Sequence, residues 1–229
     1  TDEQGGWSMR NCLLCSQAVE ENKTFSSLIL LQKEKNTICN HCRAGFEAIS
    51  SIHCPRCWKE GEAEVCSDCQ TWEAQGYLVQ HQACFLYNNL MKDYFSKYKF
   101  QGDYLLRFVF AEVLKKSLRN FKKYTLVPIP VSPEKYQSRG FNQVEGFLQA
   151  TGLPYKHLLE KQDVLAQSSK NRQERLKSQQ CFTLAKDVLL PEKILLIDDV
   201  YTTGKTLQLA RELLLEAGVK EVLTFSLAR

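Results

Sequence analysis

Four Cys-x-x-Cys pairs between positions 12 and 69 limit what the first third of this chain can become more than any other feature. They are Cys12/Cys15, Cys39/Cys42, Cys54/Cys57 and Cys66/Cys69. A two-residue spacer lets two thiolates converge on one Zn²⁺ at about 2.3 Å, and four pairs supply two Cys₄ tetrahedra. A disulfide framework needs an oxidising compartment, and no charged n-region followed by a long apolar stretch directs export. A thioredoxin-like redox pair needs one such motif at a helix start, not four in succession. The pairs therefore read as structural zinc ligands. Sequential ribbons join the first two pairs and then the last two, whereas a cross-braced arrangement interleaves them. The short gap between Cys57 and Cys66 favours the sequential order. His41 and His53 read as bystanders, and the solitary Cys84 and Cys181 as small buried apolar residues.

Segments this small bury too little apolar surface to fold alone, so metal binding must supply the missing energy. Residues 9–76 are expected to form a double Cys₄ zinc-ribbon module, 1–8 a disordered leader before Met9, and 77–229 a second domain. Residues 10–76 carry 7 basic and 9 acidic side chains, against 23 and 15 in 77–229. The slightly acidic module suits docking a protein partner or bracing its neighbour. The basic remainder favours an anionic ligand, phosphate or nucleic acid. No apolar run approaches the roughly 18 to 20 residues of a membrane span, and a cytoplasmic protein is expected.

Beyond Gly76 the pattern alternates. Residues 77–87 read as a strand, 90–98 as a helix, and 105–116 as a longer helix with Leu105, Phe108, Val109 and Val113 on its apolar face. Residues 125–129, the weak pair Leu158-Leu159, 194–197 and 222–227 read as strands. Residues 142–151 and 205–217 read as helices closed by Gly152 and Gly218. Such alternation predicts an α/β domain with a parallel sheet.

Ligands of open α/β sheets bind beyond the carboxyl ends of the strands. There the apolar run Ile194–Ile197 delivers Asp198, Asp199, Val200, Tyr201, Thr202, Thr203, Gly204, Lys205 and Thr206 into a helix start. Gly204 permits a tight turn whose free N–H groups, with the helix N-terminus and the threonine hydroxyls, suit a phosphate monoester. Two adjacent carboxylates repel phosphate but suit ribose hydroxyls, directly or through Mg²⁺. A Walker A reading of Gly204-Lys205-Thr206 fails, because the first glycine it requires falls at Asp199.

The run from Ile194 to Leu207 resembles the signature of type I phosphoribosyltransferases, which bind phosphoribosyl pyrophosphate (PRPP). That resemblance implies ribose binding by Asp198 and Asp199, 5′-phosphate binding by Thr202 to Thr206, and a pyrophosphate loop at Pro128, Ile129, Pro130 and Val131. Arg139 would supply the diphosphate's cation, and Asp198, Asp199 and Arg139 would form the catalytic set. Residues 167–180, with Lys170, Arg172, Arg175 and Lys177, stand where the family has a closing loop, or form a solvated basic loop. The cysteine module, Lys97 to Asp103, Arg139 to Gln143 and the PRPP loop occur in the order of the ComF family. Membership implies handling of single-stranded DNA in natural transformation beside a ComFA-type ATP-dependent DNA helicase.

Three function classes follow: a transferase acting on an unidentified acceptor, a DNA- and PRPP-binding competence factor, and a scaffold whose zinc module docks the helicase. For DNA, the stretch 90–123 holds nine basic and three acidic residues interleaved with aromatics. Lys92, Tyr94, Lys97, Tyr98, Lys99 and Tyr104, with Arg172 and Arg175, are the candidates for phosphate tracking and base stacking. Phe108 and Phe110 are expected in the core.

Overall fold

The computed structural model describes residues 11–19, 37–162 and 180–229. Its centre is a wholly parallel four-stranded sheet in the order β1-β6-β5-β2. These strands are β1 (His81–Phe85), β2 (Thr125–Pro128), β5 (Lys193–Val200) and β6 (Glu221–Ala228). A separate antiparallel pair joins β3 (Leu159–Lys161) to β4 (Phe182–Leu184). The helices are α1 (Asn40–Ala44), α2 (Ser67–Ala74), α3 (Asn89–Phe100), α4 (Ala111–Leu118), α5 (Pro133–Arg139), α6 (Gln143–Thr151) and α7 (Lys205–Glu216). None of them is long and apolar enough to cross a membrane.

Strand β5 is apolar at consecutive positions because both of its faces are covered. Ile194 and Leu196 enter one core with Val127, Leu207 and Val222, while Leu195 and Ile197 enter the other with Leu126, Phe225 and Leu227. The two halves of the cysteine-rich segment divide between these cores. Cys12, Leu14, Ile38 and Cys42 pack with α3, α4 and α6, whereas Cys54, Cys57, Cys66 and Cys69 pack with α7. The stretch between the two halves runs along the outer side of β1, where Ala48 bridges Phe85 and the Ile49 N–H donates to the Cys84 carbonyl at 3.1 Å. On the far side of the sheet, Tyr155 bridges Leu126 and the Lys156 N–H donates to the Leu126 carbonyl at 2.9 Å.

Most expected elements are present, with local corrections. The strand expected over 77–87 narrows to β1. The helix expected over 105–116 is broken into a 3₁₀ turn, Tyr104–Phe108, and α4. The break turns Phe110 into an aromatic cluster with Phe46, Phe85 and Tyr94, so tertiary packing overrides local helical periodicity. Leu105 and Val113 consequently point outward, and Phe108 is half-buried beneath the Arg107 guanidinium. Helix α5 was not among the expected elements, although its start carries a signal: Ser132 caps it through the Lys135 N–H and Pro133 occupies its first turn.

Candidate phosphate site and cysteine centres

The carboxyl ends of β2 and β5 open into a cavity of about 310 Å³. Ile129, Pro130 and Val131 line one side, and Asp198, Asp199, Val200, Thr202 and Thr206 the other. Four cations face it: Lys99 from α3, Lys135 and Arg139 from α5, and Lys161 from β3. Helix α6 is fixed against this wall by its cap, since Asn142 accepts from the Val144 N–H at 2.9 Å and donates to the Ile129 carbonyl at 3.0 Å. Of the remaining residues expected to bind PRPP, Pro128 lies buried in the β2 ladder, and Tyr201, Thr203, Gly204 and Lys205 form the loop behind the cavity wall.

The acidic pair is asymmetric. Asp199 is 6% exposed and meets the Lys99 ammonium at 2.5 Å and the Gln143 amide at 2.8 Å. Gln143 in turn accepts from Arg139 at 2.9 Å, so the expected cation reaches the pair through an intermediary. Asp198 accepts the Asp199 N–H at 2.8 Å and has no ion pair among the described residues within 4.0 Å. Burial, with the Asp199 carboxylate beside it, pushes Asp198 up to about 7. A buried carboxylate in that state is stabilised by an incoming cation or by hydroxyl donors.

Gly204 caps α7 at φ +81°, and a Cβ there would lie 2.3 Å from the Tyr201 hydroxyl. Only glycine meets both conditions. The Lys205 ammonium turns away from the cavity toward Gln208, at 3.4 Å.

The DNA-binding candidates on α3 need correction. Tyr94 and Tyr98 are 0% exposed, and their hydroxyls donate to the carbonyls of Leu106 and Gln143 at 3.1 and 2.9 Å. Neither can stack on a base. Lys97 donates to the Leu14 carbonyl and Lys99 serves Asp199, so both are engaged within the protein. Tyr104 is half-buried, hydrogen-bonded to Gln149 at 2.6 Å and covered by Arg107, while Lys92 is exposed. Arg172, Arg175 and the basic stretch 167–179 lie outside the described residues. Lys135 and Lys161 were not singled out in sequence. Lys135 follows the cap of α5 and was within reach, whereas Lys161 arrives on a strand with no motif.

The eight paired cysteines form two groups in the sequential order: Cys12, Cys15, Cys39 and Cys42, then Cys54, Cys57, Cys66 and Cys69. Within each group all sulfurs lie within 4.8 Å of one another. Cys15–Cys39, Cys57–Cys66 and Cys54–Cys69 are 3.6, 3.5 and 3.9 Å apart. A tetrahedron with metal–sulfur bonds of about 2.3 Å has edges of about 3.8 Å, so both groups fit zinc. Backbone N–H groups of Leu14, Cys42 and Cys66 point at Sγ atoms of Cys12, Cys39 and Cys54, each at 3.4 Å, and would support thiolate charge. His53 instead stacks on Trp58, with ring centroids 4.4 Å apart.

These features define an α/β protein with a parallel sheet, an acidic and threonine-rich loop at its carboxyl end, and two Cys₄ clusters. No protein-family model matches the chain. It is 50% identical over 218 residues to competence protein ComFC of Streptococcus pneumoniae, covering 95% of this chain and 99% of that one. Identity to competence protein ComFC of Bacillus subtilis is 33% over 241 residues, covering 98% and 97%. Competence protein F of Haemophilus influenzae is 24% identical over 220 residues, covering 85% and 91%. The chain belongs to the ComF family.

Proposed function

We propose that this chain is a competence protein of natural transformation, with structural zinc in both Cys₄ centres. It binds PRPP with Mg²⁺ in the cavity and single-stranded DNA across the cavity mouth, working with a ComFA-type helicase. The observation that carries the ligand reading is the cavity itself. One wall offers the carboxylates of Asp198 and Asp199, the hydroxyls of Thr202 and Thr206 stand beside them, and Lys135, Arg139 and Lys161 supply positive charge for a diphosphate, Lys99 being paired with Asp199. The competence role rests on the names of the full-length relatives. Calorimetric titration of the zinc-loaded chain with PRPP and Mg²⁺ tests the site, and one saturable binding event is expected. Absence of heat and of competition by inorganic phosphate would reject it.

The DNA reading moves from the inner face of α3 to its end. Phe100 is 76% exposed and lies 5.6 Å from the Arg139 guanidinium, and Tyr136 is 52% exposed on the same helix as Lys135 and Arg139. Exposed aromatics beside cations are the parts a single strand uses for stacking and charge neutralisation. Phe100→Ala is expected to weaken binding of an oligothymidylate about tenfold, with log affinity falling linearly in log salt. Unchanged affinity would remove Phe100 from the interface.

A transferase acting on an unidentified acceptor remains the second reading, favoured by Lys135, Arg139 and Lys161 standing where a diphosphate would leave. Release of diphosphate from PRPP and Mg²⁺ in the presence of candidate acceptors separates turnover from binding.

A further inference from the structure

Among the described residues, the second cysteine centre touches the phosphate loop and the first does not. Helix α2 is capped by Cys66, carries Cys69, and one turn later carries Trp72. The Trp72 indole N–H donates to the Thr203 carbonyl at 3.1 Å, in the middle of the loop. A second link runs through Arg229, whose guanidinium donates to Cys57 Sγ at 2.9 Å and lies 4.8 Å from the centre of the Tyr201 ring. Tyr201 also packs on the buried His81 ring, at 4.2 Å, and its hydroxyl abuts Gly204. Tyr201 and Leu207, which flank the loop, share a core with Cys54, Cys57, Cys66 and Cys69. The first centre packs on the opposite face of the sheet.

We propose that the Cys54/Cys57/Cys66/Cys69 centre is the brace that holds the phosphate loop in its binding shape, with Trp72 and Arg229 as positioning residues. The proposal rests on the phosphate-binding reading of the loop. A loop that cradles a phosphate with backbone N–H groups works only if those groups converge before the ligand arrives. Thr203 and Gly204 connect Thr202 to Thr206, which line the cavity, so the direction of those peptides is set by what grips the chain from behind. Trp72 fixes a carbonyl there, and Arg229 fixes the ring on which Gly204 rests. Metal occupancy at this centre thus governs phosphate affinity although no cysteine reaches the cavity.

Trp72→Phe keeps most of the ring and removes the donor, and Arg229→Met keeps the stem and removes both contacts. In the full zinc-loaded chain, each is expected to weaken binding of PRPP and of inorganic phosphate about fivefold to tenfold. Each is also expected to speed amide hydrogen exchange in residues 201–206 while leaving two zinc ions bound. Cys15→Ser, at the first centre, is expected to leave exchange in 201–206 at the parent rate. Unchanged exchange in both Trp72→Phe and Arg229→Met overturns the brace, as does faster exchange with parental affinity. Faster exchange in a protein whose parent binds neither ligand leaves the brace standing and rejects the phosphate reading instead.

Discussion

Asp198→Asn is expected to lower PRPP affinity at least about a hundredfold while making the folded protein more stable above pH 7. The amide keeps the oxygen that accepts the Asp199 N–H, so the local turn survives. What it loses is the charge that a ribose hydroxyl or a bound divalent cation needs, and charge-assisted bonds in a sheltered site are worth roughly 1.5–3 kcal/mol each. The stability gain follows from the same carboxylate. An aspartate in the unfolded chain releases its proton near pH 3.9, whereas burial and Asp199 push Asp198 up to about 7 in the folded state. A raised folded value means the contribution to stability is complete below about pH 4 and is lost as pH rises to about 7. Asparagine has no proton to lose. The variant's thermal midpoint should therefore exceed the parent's by several degrees at pH 8, and the margin should shrink toward pH 5. Equal margins at both values would show that the Asp198 carboxylate carries no burial penalty.

Removing zinc should cost more still. Between positions 54 and 69 the buried apolar residues are the four cysteines themselves, none more than 2% exposed. The apolar residues they pack against, such as Val79, Leu207 and Leu214, all come from outside that segment. Structural zinc in comparably small modules binds with roughly 10–16 kcal/mol, which becomes folding energy. The expected result is two zinc ions per chain by elemental analysis, and after their removal by a strong chelator a thermal midpoint lower by more than about 15 °C. An unchanged midpoint after complete removal would mean that the cysteines pack adequately as thiols.

Local features were the legible ones. The strand–turn–helix from Ile194 to Leu207 reads from adjacent residues, because a buried run, two carboxylates and a glycine at positive φ all act within one turn. The cysteine pairing was legible for the same reason, since Cys66 follows Cys57 by only nine positions. What escaped was anything set by residues far apart. Lys99 reads in sequence as one of a line of surface cations, yet it neutralises Asp199 across the fold. Tyr94 and Tyr98 recur at i and i+4, which marks one face of a helix without saying whether that face meets water or the sheet. Phe110 left its expected helix because three aromatics from other segments made room for it. The contact between Trp72 and Thr203, 131 residues apart, has no signature in either segment.

The partial covering of both outer strands of the parallel sheet bears on how the protein behaves when it is abundant. An uncovered strand offers a row of free N–H and C=O groups to the next molecule, the usual start of edge-to-edge association. Here residues 47–49 pair with the end of β1 around Cys84 to Leu86, and residues 155–156 pair with Leu126 of β2. The stretch on β1 is anchored at either end by a cysteine centre, so loss of metal would uncover an adhesive strand as well as loosen a module. A metal-starved preparation should therefore clump in proportion to its concentration before it loses its sheet.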